Sequence, residues 1–292
     1  MSTVLEWIEP SWPAPPQVRA LCTTRGGGVS TGPFAGLNLA DHVGDEPSLV
    51  AQNRALLRAR LDLPAEPHWL RQVHGCRVAD AVRDPRDCRA DAAIATGPQE
   101  VCAVLTADCL PLLLCDTTGT RVAAVHAGWR GLVKGVIEAA IARLAVPPRA
   151  VLCWLGPAIG PQAFEVGAEV RAHFVAQRGK DTKAVFVPAP GDKWGDRWLA
   201  NLYALARERL RACGVDRIWG GEFCTYSDPE RFFSYRCDKV TGRMASLIWI
   251  DSNAGIFHHT WILRRHARRS YPDREVENPK YGILQVLNGA SE

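Results

Sequence analysis

Residues 106–131 read TADCLPLLLCDTTGTRVAAVHAGWRG. Two apolar runs of strand-like length flank a turn there, and this pairing constrains the fold more than any other stretch of the chain. Asp108 and Cys109 break the approach to the first run. His126 ends the second, just before a Gly-Trp-Arg-Gly turn. An acid, a thiol and an imidazole therefore stand where buried hydrophobes are expected.

The rest of the chain supplies more short strands and several helices. Residues 20–25, 68–74, 101–107, 110–115, 121–126, 150–155, 232–236 and 243–250 are predicted strands. Residues 48–61, with Ser48 as the predicted N-cap, 131–145, 166–178 and 196–212 are predicted helices. Pro147 and Pro148 end the second of these and Gly214 stops the last. Strands and helices without strict βαβ alternation imply an α+β fold of mixed sheets with helices outside. There is no internal repeat and no low-complexity linker.

Composition excludes several classes. With 292 residues, 47% of them hydrophobic, the chain can bury a substantial core. The 35 basic and 31 acidic residues are interspersed, giving a net charge of +4, which argues against nucleic acid or a membrane surface as partner. No apolar run approaches the ~20 residues that span a bilayer, and the N-terminus lacks the pattern of a secretory signal. A soluble cytoplasmic protein is expected, acting on small molecules as a monomer or small homo-oligomer. Ten cysteines without a CxxC pair exclude zinc-finger and thioredoxin readings. Cys102, Cys115 and Cys153, set among apolar residues, are expected to be small core side chains. The sequence changes character after residue 250, so 1–250 is read as one domain and 251–292 as a poorly ordered extension.

His74 follows a predicted strand, Cys109 sits at a strand break and His126 ends a strand. Strand ends can converge on one mouth. Two imidazoles and a thiolate suit Zn²⁺, and three ligands leave a fourth position for water or substrate. The spacing alone also allows hydrogen-bonded histidines and a core cysteine.

Beyond spacing, RQVHG, TADCLPLLLCD and AVHAGWRG resemble signature blocks of the YfiH, or laccase-domain, family of bacterial purine nucleoside phosphorylases. TTRGGGVSTGPFAGLNLADHVGD, LGPAIGPQAFEVGAEV, WLANLYALARERLRACGV and CTYSDPERFFSYR with TGRMASLIWI follow in the same order. The resemblance covers roughly residues 15–250. It implies an α/β/β/α layered sandwich and a zinc ion held by His74, Cys109 and His126. It further implies phosphorolysis of adenosine, inosine and methylthioadenosine, with adenosine deamination as a second activity. The chain departs from the family in having Cys237 where a second arginine often follows SYR, and in its long tail.

Phosphorolysis needs a place for phosphate and a grip on the nucleoside. Arg25 leads into a glycine-rich loop, and Arg130 stands where the helix after His126 is predicted to begin, so both are phosphate candidates. Asn38, Gln72 and Arg236, within the matching blocks, complete the substrate-binding candidates. Phe233 and Tyr235, alternating on a predicted strand, are possible stacking partners for a purine, with core packing as the alternative. Deamination needs a carboxylate to shuttle protons; Asp108 is nearest in sequence, unless it braces the turn instead. Two rivals stand. Copper is a second candidate metal for a polyphenol oxidase, although the eight histidines form no HxH pair. Cys109 with His126 as base would give a cysteine hydrolase or amidase.

Overall fold

The two apolar runs form the centre of a sheet. Leu110–Asp116 and Val122–Ala127 pair antiparallel, Leu112 opposite Val125 and Leu114 opposite Ala123. The computed structural model describes residues 5–85, 88–178, 185–192 and 195–252, so the tail beyond Ser252 lies outside the described residues. In chain order the elements are β1 (Trp7–Ile8), β2 (Val18–Thr23), α1 (Pro47–Leu61), β3 (Val78–Asp80), β4 (Ala92–Ala95), β5 (Val101–Thr106), β6 (Leu110–Asp116) and β7 (Val122–Ala127). There follow α2 (Trp129–Val133), α3 (Val136–Leu144), β8 (Val151–Leu155), β9 (Glu165–Gly167), α4 (Ala168–Arg178), β10 (Phe186–Pro188) and β11 (Arg197–Ala200). The last are α5 (Leu202–Ala212), β12 (Ile218–Gly220), α6 (Tyr235–Asp238) and β13 (Met244–Ile250).

A six-stranded mixed sheet, β12-β8-β6-β7-β4-β3, faces a four-stranded antiparallel sheet, β1-β2-β13-β5. Side chains alternate across each strand, and here both faces are buried. Leu112, Leu114, Ala123 and Val125 pack with Val136, Ile137 and Leu144 of α3 and Leu205 and Leu210 of α5. Leu113, Cys115, Val122 and Ala124 turn inward against Cys102, Val104, Met244 and Ile248 of the opposing sheet. The far face of that second sheet, with Leu105, Leu247 and Trp249, is covered by Leu57 of α1 and by Leu37 and Leu39. This is the expected α/β/β/α order. Strands sandwiched on both sides have no solvent face, which is why they read as continuous apolar runs. Each fully buried Leu contributes about 1.5–3 kcal/mol relative to exposure.

Several predicted elements differ. Residues 68–74 make isolated bridges, His68 to Cys102 and Arg71 to Arg89, rather than a strand. The side chain of Gln72 there bonds both backbone groups of Leu105 in β5. Helix α1 starts at Pro47, with Glu46 in the N-cap position, so Ser48 is inside it; proline's fixed φ suits the first turn. The predicted helix 131–145 is two helices, because Gly135 adopts φ +83° between them. Residues 166–178 and 196–212 each begin as a strand, β9 and β11, which pair with one another. Helix α5 starts only after Asn201, whose side chain accepts a bond from Ala204 N at 3.0 Å. Residues 232–236 are not a strand: Ser234 accepts from Cys237 N at 3.3 Å and caps the single-turn α6. Phe233 is consequently buried in the core, while Tyr235 is exposed.

Candidate metal centre

Antiparallel pairing explains how distant residues meet. The end of β7 lies beside the starts of β4 and β6, with Val125 opposite Ala92 and Ala127 opposite Leu110. His126 near the end of β7, Cys109 just before β6 and Asp91 just before β4 therefore meet at one end of the sheet. His126 has the parity of Val122 and Ala124, so its ring enters the layer between the sheets. His74 arrives from a loop, in a left-handed conformation at φ +55°.

Cys109 Sγ lies 3.7 Å from His74 Nε2, and the His74 and His126 ring centroids are 4.8 Å apart at 74°. The three potential donor atoms are mutually within 4.8 Å. Bonds of about 2.0–2.3 Å to a tetrahedral ion require donor separations of about 3.3–3.7 Å, so the triad fits a metal with small adjustments. Among the described residues no fourth His, Cys, Asp or Glu joins the group.

Asp91, which sequence reasoning missed, organises the site. It is fully buried. Its Oδ1 stands 2.9 Å from His126 Nδ1 and accepts from His74 N at 2.8 Å; its Oδ2 accepts from Gly75 N at 2.6 Å and Val73 N at 3.2 Å. One carboxylate thus fixes the His126 tautomer, leaving Nε2 for a ligand, and pins the loop that carries His74. Lys134 Nζ donates to His74 O at 3.0 Å and closes the loop from the other side. Gly128 is the second omission. A Cβ there would sit 2.8 Å from Cys109 Sγ and 3.1 Å from His74 Cδ2, so only glycine leaves room beside the triad.

The electrostatics favour a thiolate. Burial by itself raises the Cys109 pKa, but the charge of His126 and hydrogen bonds from His126 and His74 outweigh it and push the thiol down to about 6. His126 moves oppositely, to about 9: burial opposes its charge, while Cys109 and Asp91 favour it. A deprotonated sulfur near neutrality is what either a metal ligand or a nucleophile requires.

The other site candidates divide. Asp108 lies next to the centre at φ +87°, but its carboxylate is occupied: Oδ1 accepts from Thr225 Oγ1 and Oδ2 from Arg236 N, both at 2.6 Å. Through these bonds it ties the turn before β6 to Thr225 and to the Arg236 backbone. Arg236 approaches through that backbone N–H, while its guanidinium sits over the Phe164 ring. Arg25 lies over Phe233, 4.6 Å from the centroid, and donates to Pro229 O. Arg130 is exposed over its neighbour Trp129, within a helix of five residues. Gln72 clamps Leu105 of β5, donating to its O at 2.8 Å and accepting from its N at 2.7 Å. Asn38 is fully buried and binds Ala40, Asp45 and Arg243 N, a loop-fixing role rather than a solvent-facing one.

With this geometry in hand, the family described as "Multi-copper polyphenol oxidoreductase laccase" matches residues 19–251. The chain belongs to this family. Among similar laccase-domain proteins, purine nucleoside phosphorylase PA4543 of Pseudomonas aeruginosa is 54% identical over 248 residues, 84% of this chain and 98% of that one. Purine nucleoside phosphorylase YfiH of Escherichia coli is 52% identical over 244 residues, 83% and 98% of the two chains. The crystal structure of Neisseria meningitidis NMB0706 matches with TM-score 0.79 and 45% identity, over 84% of this chain and 99% of that one. That of YlmD from Geobacillus stearothermophilus gives 0.77 and 28%, over 84% and 96%. Copper enters only through the family description, and a single three-donor group is found among the described residues.

Proposed function

We propose that this laccase-domain protein is a zinc-dependent purine nucleoside phosphorylase. It cleaves adenosine, inosine and methylthioadenosine with phosphate to the free base and the corresponding ribose 1-phosphate, and deaminates adenosine as a side activity. The observation that carries the reading is the His74–Cys109–His126 triad, with three converging donors and no fourth among the described residues. Relatives over half identical along nearly their whole length, which bear the phosphorylase name, support it. The donor set, one thiolate and two imidazoles, suits zinc, which when bound supplies Lewis acidity toward an oxygen of the reactants.

The chain's own residues do the remainder. Asp91 keeps His126 in one tautomer and the His74 loop in place. Asp108 holds the Thr225 and Arg236 segments against the turn that presents Cys109. The exposed Tyr235 ring, with Lys239 and Arg243 each 5.8 Å away, offers a face to a purine. In the reaction a phosphate oxygen bonds to the ribose C1′ as the glycosidic C–N bond breaks; the base leaves with that electron pair and takes up a proton. No helix among the described residues is long and apolar enough to cross a membrane.

A second reading rests on one specific observation. Cys109, His126 and Asp91 also form a thiol–imidazole–carboxylate chain, the arrangement of a cysteine hydrolase. One experiment separates them: metal analysis of purified protein, then adenosine and inosine turnover with and without phosphate and with a chelator. Phosphate-dependent release of base, abolished by the chelator and restored by zinc, is expected. Chelator-resistant turnover with stoichiometric acylation of Cys109 would overturn the phosphorylase in favour of the hydrolase.

A further inference from the structure

Arg243 precedes β13, whose Met244 pairs with Thr106 of β5, two residues before Asp108. Its backbone is fixed on both sides: its N donates to Asn38 Oδ1 at 3.0 Å and its O accepts from Leu39 N at 3.3 Å. Its guanidinium is fixed too. Nη1 donates to Thr241 O at 2.8 Å and Gly242 O at 2.9 Å. Gly242 in turn packs under the Phe233 ring with no room for a Cβ, which would meet that ring at 2.7 Å.

The guanidinium lies by the Tyr235 ring, in the segment that Asp108 ties to the turn before Cys109. Its Cζ is 5.8 Å from the centroid of Tyr235, and the next residue, Arg236, gives its N–H to Asp108, the neighbour of Cys109. Burial disfavours the Arg243 charge, and the acidic groups whose fields favour it are Cys109, Asp108 and Tyr235. Among the described residues no carboxylate forms an ion pair with it; Asp108 is bonded instead to Thr225 and Arg236. A partly buried, oriented cation without a counter-ion is costly to keep, and the cost is recovered when an anion arrives.

We propose that Arg243 is the anion-binding residue of this centre and that its free N–H groups hold inorganic phosphate beside the His74–Cys109–His126 triad. The proposal rests on the phosphorylase reading for the identity of the anion, and gives that reading a phosphate site that the sequence did not single out. A guanidinium presents two parallel N–H groups to phosphate, which a lysine does not.

The test uses the zinc-loaded full-length protein and inorganic phosphate. Calorimetric titration of phosphate is run on wild type, Arg243→Gln and Arg243→Lys, each checked by metal content and circular dichroism. Steady-state kinetics follow with phosphate and inosine varied separately. We expect phosphate binding to weaken at least about tenfold in Arg243→Gln and by a smaller factor in Arg243→Lys, with zinc content unchanged. The KM for phosphate rises in parallel, while that for inosine stays within about twofold. Should Arg243→Gln fail to fold, Arg243→Lys carries the comparison. Equal phosphate affinity in a folded variant and wild type, or no phosphate binding by wild type, overturns the proposal. Phosphate binding that depends on Arg243 in a protein without nucleoside cleavage supports the anion site and defeats the phosphorylase reading alone.

Discussion

Asp91 grips His126 twice. Its carboxylate Oδ1 stands 2.9 Å from His126 Nδ1, and its backbone O accepts from His126 N at 2.7 Å. Both residues are buried, so the pair is fixed by the β4–β7 ladder rather than by chance side-chain rotation. Asp91→Asn keeps the volume but loses the charge that orders three backbone N–H groups and one imidazole N–H. We expect a fall in zinc affinity of about 10–100-fold, the usual effect of losing such a supporting carboxylate. Competition against a chelator of known affinity measures it. An affinity equal to wild type would show that the loop and ring hold their places without Asp91.

Gly128 tests the same geometry by sterics. A methyl group there lies 2.8 Å from Cys109 Sγ, so the sulfur must shift or the β7–α2 turn must open. Gly128→Ala is expected to lower zinc retention after dialysis. Gly97→Ala, whose Cβ meets only the flexible Glu100 carboxylate at 3.5 Å, is expected to retain zinc as wild type does. Equal retention in both variants would mean that the triad tolerates displacement and is not tightly shaped.

Cys109 and His126 were legible because each interrupts or ends an apolar run, where a polar residue is out of place; His74, after Arg71, Gln72 and Val73, was joined to them by the resemblance of RQVHG to a family block. Their convergence was not legible: it follows from strand register, and β4, which delivers Asp91, is four residues of mostly alanine with no periodic signal. The layers were legible for a related reason, since strands buried on both faces cannot be mistaken for surface. The helices at 166–178 and 196–212 were drawn too long because helical spacing does not exclude a short strand leading into the helix; only the cap at Asn201 fixes where α5 begins. Tyr235 and Phe233 were placed on one strand because their spacing fits alternation, whereas Ser234 turns the chain between them.

Gln72 and Asn38, polar residues within matching blocks that were read as substrate contacts, are engaged by other parts of the chain. Gln72 pairs with both backbone groups of Leu105 and so extends the β5 edge by one side chain. Gln72→Ala leaves those two groups unsatisfied. We expect a loss of about 1–3 kcal/mol in stability with the KM values for inosine and phosphate nearly unchanged. Denaturant unfolding and steady-state kinetics on the same preparation separate the two roles. A stable variant with a raised KM for inosine would return Gln72 to the substrate site.

Protons and a metal ion compete for the Cys109 sulfur. In the metal-free protein the thiol is pushed down to about 6 by His126 and His74, against burial. A lowered pKa means that thiolate persists to lower pH, so alkylation by iodoacetamide should rise through about pH 6 and level off near neutrality, where an ordinary thiol, with pKa about 8.5, is still mostly protonated. Burial pushes Cys22 and Cys115 up to about 12, and the exposed Cys237 is raised by Asp238 beside it, so peptide mapping distinguishes Cys109 from these. Zinc should protect Cys109 selectively, because the sulfur lone pair that attacks the reagent is the one that would bind the ion. His126→Gln removes the largest favourable charge, and the inflection should then move upward toward the ordinary thiol value. An inflection near 8.5 in the unsubstituted protein would mean that His126 is neutral beside Cys109, and that the centre is held together by packing and Asp91 rather than by a thiolate–imidazolium pair.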